Sequence, residues 1–588
     1  MMKKIIRLLI VTSGTFTFLT NIISGVSLGE EIKLGEFNFK KYDFWVEKCQ
    51  LFRKDKQYSE ALNACEQAIS LKPKKDNIQL WLARGDSLLQ LGQYREAAIS
   101  YDWVLKQDKK NVPALVQKCS ALLGLGKYEN ALESCDLALE REKNKEDWNS
   151  IKQVQNYWGN ITLAKALYIR GSVLRRQEQY EKATTDFDNA IKQDDNFALA
   201  YAGKCGVLAD QKMYNEASQM CKAAVENFVN PRTKDESTDE QTNETVKKTI
   251  NSADASDAII WYETGRVKQK LNEQAEALNN FNVAIQINPR YSQALARKSE
   301  ILNKMGRYKE ALENCDRALK GDKQWSDRRG LAYVWYQRSA ALLGLQKYEE
   351  ALASSENAIA VEPKYAEAWN NKAVSLWNLG QYEAAKVAIE FVLDKESPIY
   401  IKANDSYAQA HANYGRILSS LKQDRKAKEA YKEASINTQS LDQKSLYVFW
   451  LNKAAVEMRM EKYEDALVSV NWSIMKKHSF AGFYNQAIIL SKLGKYQQAI
   501  TAFDKANEFL PDNYLVLTGK AIALMNVGIN AKKYEDIQKN FQKSLTEFDK
   551  ALFVNPSYSF AIQKRKSLIS KIEESRKKDS KLRHSIKE

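Results

Sequence analysis

Histidine is almost missing from this 588-residue sequence, which has only His411, His478 and His584, and proline and glycine are sparse at 8 and 23 residues. A zinc site needs three or four ligands gathered together. Three scattered histidines and seven cysteines, none in the close C-x-x-C spacing of a redox centre, do not supply that gathering. A glycine-rich phosphate loop, a dinucleotide fingerprint and a serine elbow are absent as well. No metal, no cofactor and no catalytic constellation is expected, and the chain reads as non-enzymatic. Scarce proline and glycine beside plentiful Ala, Leu, Lys and Glu favour helices over sheets, so the expected class is all-α. Beyond the first thirty residues no apolar run reaches the ~20 residues of a membrane-spanning helix.

Those first residues differ from all that follow. "MMKKIIRLLIVTSGTFTFLTNIISGVSLGEE" sets Lys3, Lys4 and Arg7 before an apolar stretch that ends in small residues, the layout of a bacterial export signal. Residues 1–29 are therefore expected to be a signal peptide cut after Gly29, with the mature chain in the periplasm or envelope. The alternatives are an uncut leader anchoring the chain in the inner membrane, since Ile5 to Leu28 has about the ~20 residues of a span, and a cytosolic adaptor. The formal charge of +15 is thinly spread, with its densest cluster between Gln563 and Glu588. Residues 557–588 are expected to form a capping helix with a solvated basic tail rather than a grip on nucleic acid.

Between these ends the chain repeats itself. "QYSEALNACEQAISLKP" from Gln57 returns as "RYKEALENCDRALK" from Arg307, "KYEEALASSENAIAVEP" from Lys347 and "KYQQAITAFDKANEFLPDN" from Lys495, with 34 residues the dominant spacing. Aligned copies put alanine at one position twelve times, at Ala61, Ala97, Ala131, Ala183, Ala217, Ala277, Ala311, Ala351, Ala385, Ala427, Ala466 and Ala499. A second small residue often follows seven positions later, as at Ala68, Ala190 and Ala358. Two helices must approach closely there. Proline closes several copies (Pro73, Pro289, Pro363, Pro511 and Pro556) and stops one helix before the next.

This pattern resembles the tetratricopeptide repeat, whose small, aromatic, alanine and proline positions are met by "GRYKEALENCDRAL" and by "AWNNKAVSLWNLGQYEAAKVAIEFVL" from Ala368. The resemblance covers about 13 copies within residues 30–556. It implies a right-handed superhelical solenoid in which the first helix of each hairpin lines a concave groove, and stability that comes from stacking on neighbours. The family's "carboxylate clamp" for chaperone tails is not expected. Asn371 fits its middle slot, but Tyr336 and Ala340 stand before it and Gln409 and Asn413 after it.

Twelve residues before each alanine and four after it lie two positions expected to face each other across the hairpin, and their occupants compensate in size. Glycine meets an aromatic in Gly85/Tyr101, Gly171/Phe187, Gly265/Phe281 and Gly415/Tyr431, while serine meets a small residue in Ser299/Cys315 and Ser339/Ser355. Cysteine meets cysteine in Cys49/Cys65, Cys119/Cys135 and Cys205/Cys221. Close packing demands such constant summed volume. In an oxidising compartment these pairs are structural disulfides, each closing a ~15-residue loop and contributing ~3 kcal/mol. In the cytosol they are small core thiols. Cys315 stays a buried free thiol in either case.

Insertions are expected near residues 141–162, 230–257 and 529–540. The first, with Trp148, Tyr157 and Trp158, is expected to pack; the second, polar from Asn230 onward, to be disordered; the third to lengthen the internal turn of the thirteenth copy. Groove positions fall three before, one after and four after the size-compensated site. They select Tyr168, Arg175, Tyr262, Arg266, Tyr336, Asn370, Trp377, Arg416 and Tyr484, along with Met458 and Met525. Tyr, Trp and Arg tend to carry binding energy, so the expected partners are extended or helical segments of other proteins with acidic or aromatic anchors. A scaffold for protein–protein interaction is the expected function, with nucleic-acid binding a weaker alternative.

Overall fold

The computed structural model describes residues 34–71, 77–140, 162–229, 250, 253–325, 328–394 and 407–585. The leader and the 141–161 stretch with its three aromatics lie outside these residues, as does most of the 230–257 insertion. Among the described residues there is no strand, and no helix is long and apolar enough to cross a membrane. The chain divides into two compact units, 1–289 and 290–588.

Each unit is a stack of helical hairpins. The first holds six, running from Leu34–Lys54 with Tyr58–Leu71 to Ala258–Lys270 with Gln274–Ile287. The second holds seven, from Ser292–Lys304 with Tyr308–Lys320 to Tyr514–Asn530 with Tyr534–Val554, and ends in the single helix Ser559–Ser585. Within a unit, first helices touch both their own second helix and the first helix of the next hairpin. A layer whose members all touch is the shorter one, so the first helices form the concave wall of each unit.

Local chemistry accounts for these hairpins. Asn77, Asn111, Thr162, Asp442, Ser479 and Asn513 cap first helices by accepting hydrogen bonds from backbone N–H groups otherwise left open at a helix start. Five residues before each of the twelve alanines the backbone turns left-handed: at Gly92, Gly126, Gly306, Gly380 and Gly494, and also at Lys56, Glu178, Lys212, Asn272, Gln346, Lys422 and Glu461, with φ between 58 and 76°. That reversal folds the second helix onto the first.

All twelve alanines are fully buried, at 0% exposure. A Cβ on Gly85, Gly171, Gly265 or Gly415 would lie 2.6 to 2.9 Å from the ring of Tyr101, Phe187, Phe281 or Tyr431, the partner given by size compensation. The cysteine pairs face each other in the same way, with Cα atoms 5.0, 5.5 and 5.3 Å apart. Cys315 is buried beside Ser299, and burial raises its thiol pKa to about 12. A second contact joins successive hairpins: the tyrosine that opens a second helix packs on a glycine of the next first helix, as Tyr94 does at Gly124 and Tyr308 at Gly344.

Two insertions differ from expectation. Residues 529–540 do not enlarge a turn; they lengthen both helices of the last hairpin, to 17 and 21 residues, because Ile537, Phe541, Leu545 and Phe548 keep helical spacing. The end of the 230–257 segment is ordered. Ala255–Asp257 form a short 3-10 helix, and Asp254 accepts from Tyr58 Oη (3.2 Å) and pairs with Lys56 Nζ (2.8 Å) in the first hairpin.

Candidate functional site

The concave wall of the first unit is occupied by the chain's own charges. Arg175 Nε donates to Asp210 Oδ2 (2.7 Å) and its Nη1 to Glu263 Oε1 (2.8 Å). Arg266 donates from Nη2 to Asp210 Oδ1 and from Nη1 to Glu263 Oε2, both at 2.6 Å. Two cations and two anions thus form a closed, neutral square around Glu263, which is 2% exposed. Burial alone would raise the Asp210 and Glu263 pKa values, but the two guanidiniums outweigh it and hold both below the ordinary range. Gly206 makes room for this square, since a Cβ there would meet Arg175 Nη1 at 2.1 Å.

A second polar cluster lies on the same wall. Asp86 accepts from Tyr101 Oη (2.9 Å) and Gln117 Nε2 (3.2 Å), with Arg53 Nη2 at 3.8 Å. Burial pushes its carboxyl pKa up against the pull of Arg53. Tyr168 packs on Phe187 and Phe197, and Tyr262 is buried on Phe281 with the Arg266 guanidinium 5.9 Å from its ring. Arg175, Tyr262 and Arg266 therefore serve the packing of this unit, and the guanidinium donors of both arginines are taken up within it.

The second unit differs. Tyr336 packs edge-on to Tyr365, and Tyr484 stacks on Phe480 and meets Phe503 edge-on. Trp377 and Arg416 come together on the adjacent first helices Ala366–Asn378 and Tyr407–Ser420, with Asn370 two turns before Trp377 on the same helix. Trp377 Nε1 donates to Ser420 Oγ (2.8 Å), which fixes the indole, and the Arg416 guanidinium lies 4.0 Å from its ring centroid. Asn413 Nδ2 donates to Asn370 Oδ1 (2.9 Å). Trp377, Arg416, Asn370, Tyr336 and Tyr484 are all half-buried on the wall, as is Met458, whereas Met525 is buried.

Sequence reasoning missed Asp210 and Glu263, the partners that neutralise the two arginines. The available signal was Gly206, a helical glycine with no turn to make, and an acidic residue two positions before Gly265, where the helix faces its neighbour.

Comparison with known proteins agrees with this architecture. A tetratricopeptide repeat family model matches residues 82–147 and 336–390, and a second matches residues 408–435 and 481–513. The chain is a tetratricopeptide repeat protein. This tetratricopeptide array is 26% identical over 190 residues to the DnaJ homolog subfamily C member 7 homolog of Schizosaccharomyces pombe, a match covering 30% of the array and 38% of the relative. It is 24% identical over 202 residues to stress-induced-phosphoprotein 1 of Caenorhabditis elegans, covering 33% and 61% respectively. The array thus spans from about two fifths to three fifths of these relatives' lengths. Among solved structures, the Cut9–Hcn1 hetero-tetramer of the APC/C aligns at 13% identity and TM-score 0.40, covering 90% of this array and 96% of that chain. Yeast Tom70 aligns at 15% identity and TM-score 0.29, covering 93% and 97%.

Proposed function

We propose that this array is a non-enzymatic scaffold that captures extended or helical segments of partner proteins on its concave wall, in a bacterial envelope. The observation that carries the reading is the half-buried group of Trp377, Arg416 and Asn370 on two adjacent first helices, where aromatic and cationic surface has no partner helix over it among the described residues. Such side chains are the usual anchors of a peptide laid in a groove. A photo-crosslinking residue at position 377, expressed in cells, is expected to trap discrete partner proteins, while the same residue at the exposed second-helix position Val387 is not. Equal labelling from both positions, or turnover of a substrate by the purified chain, would sink the reading.

The envelope assignment is supported by the leader's layout and by three cysteine pairs at facing positions. Blocking free thiols on natively expressed, denatured protein and mapping the remaining bonds by mass spectrometry is expected to give Cys49–Cys65, Cys119–Cys135 and Cys205–Cys221. Seven free thiols would move the scaffold to the cytosol or the inner face of the membrane. Sequencing the mature N-terminus distinguishes a cut signal from an uncut anchor.

A further inference from the structure

Arg266 shows what an arginine does at its place in the repeat. It follows Gly265, and it lies between Glu263, two residues before that glycine, and Asp210, the last residue of the preceding first helix. Arg416 holds the same place in the second unit: it follows Gly415, with Asn413 two residues before the glycine and Asn378 the last residue of the preceding first helix. Both carboxylates have become amides. Each amide is also turned to a neighbour of its own, Asn378 Nδ2 donating to the Val374 carbonyl (2.8 Å) and Asn413 Nδ2 to Asn370 Oδ1 (2.9 Å).

Arg416 consequently has no ion pair and no side-chain hydrogen bond among the described residues, and its Nε is buried without a partner. Burial pushes its pKa down; in Arg175 and Arg266 the same burial is outweighed by Glu263 and Asp210. The groups that bear on its charge are the phenols of Tyr431 and Tyr348, and no acidic side chain is among them. The Tyr431 hydroxyl is buried and likewise unpartnered. A buried charge left uncompensated is costly unless a partner supplies the counter-charge.

We propose that Arg416, stacked on Trp377, is the binding site for a single carboxylate of a partner's peptide segment, which takes the place that Asp210 and Glu263 take on Arg266. The proposal rests on the groove reading above and names the chemistry of its anchor. Among the described residues no second cation bears on this guanidinium, which matches a monoanion rather than a phosphate. The Trp377 face takes the methylenes beside the carboxylate. Asn370, two turns along the same helix face, is placed for the peptide backbone. None of these three residues sits in a slot of the carboxylate clamp.

The test uses the full chain and a printed array of random 12-residue peptides at about 0.15 M salt. Each peptide appears with one glutamate, with glutamine in its place, and as that glutamine form with a free C-terminal carboxylate. The wild-type chain is expected to prefer glutamate members by about tenfold, the size of a charge-assisted contact. Arg416→Met and Asn378→Asp should each level that preference, the first by removing the cation and the second by giving it an internal carboxylate. A gain restricted to the free-terminus members would make the chain end, not a side chain, the source of the carboxylate. Folding is followed in parallel: Asn378→Asp should raise the urea midpoint of the second unit, because it installs the pairing seen at Arg266. The proposal is overturned if wild type shows no preference between paired members, if the preference survives in Arg416→Met, or if Asn378→Asp lowers the midpoint. Loss of crosslinking from position 377 altogether would instead remove the scaffold reading. Crosslinking that persists unchanged in Arg416→Met would remove only the carboxylate site.

Discussion

At the scale of single residues, the square of Arg175, Arg266, Asp210 and Glu263 is the most demanding feature of the first unit. Removing one member strands a charge that is 2% exposed in the case of Glu263, and broken buried pairs cost about 3–5 kcal/mol. Glu263→Gln is expected to lower the stability of the first unit by that amount, read as a shift of the urea midpoint. Cys315 is the complementary case. With its thiol raised to about 12 by burial, almost none of it is thiolate near neutrality. Iodoacetamide at mildly alkaline pH should leave Cys315 unmodified in the native chain and label it at once in urea; rapid native labelling would contradict the buried site. Both features turn on environment more than identity, since Arg416 stands where Arg266 does yet meets amides where Arg266 meets carboxylates.

At the scale of elements, the hairpin turn carries the most strain. Seven of its twelve left-handed positions hold residues with a Cβ, among them Gln346 and Lys422 at φ of 61 and 59°. The left-handed backbone costs such residues ~1 kcal/mol relative to glycine, partly offset by the looser unfolded chain of a glycine variant. Gln346→Gly and Lys422→Gly are each expected to stabilise the second unit by about 0.5 kcal/mol, measured by chemical denaturation, while Gly380→Gln should destabilise it. The starts of first helices are legible in the sequence because their caps, such as Asn77, Thr162 and Ser479, come from a small set of residues. The extra residues at 529–540 read as turn because they depart from the repeat consensus, although the apolar residues from Ile537 onward keep the spacing of a helix face.

At the scale of the whole molecule, stability is distributed hairpin by hairpin, and the two units have different reinforcements. All three facing cysteine pairs belong to the first unit. With the pairs oxidised, reduction should accelerate hydrogen exchange in peptides from residues 34–289 and leave those from residues 290–585 unchanged. The second unit has an acid-sensitive carboxyl of its own. Burial works to raise the Glu300 pKa, but Arg297, Lys304 and the Tyr333 hydroxyl bring it down to about 2, from 4.5. A carboxyl whose folded pKa is depressed stabilises the fold above its unfolded pKa and loses that contribution as pH falls through the folded value. Glu300 should thus contribute about 3 kcal/mol at pH ~7 that disappears between pH ~4.5 and ~2. In Glu300→Gln the urea midpoint should fall less over that window than in wild type.

The repeat, its all-α hairpins, the twelve buried alanines and the glycine–aromatic and cysteine–cysteine pairs were all determined by the sequence. Each is a local requirement repeated at fixed spacing, and repetition makes a steric rule visible in one dimension. Which wall residues face a partner was decided only by the tertiary structure. Arg175, Arg266 and Arg416 carry the same side chain on the same kind of helix. What separates them is the charge delivered by residues up to 88 positions away, as in Arg175 with Glu263. Electrostatic pairing across stacked helices depends on three-dimensional proximity and not on repeat position, so it left Arg416 uncompensated where the periodic pattern showed it and Arg266 alike.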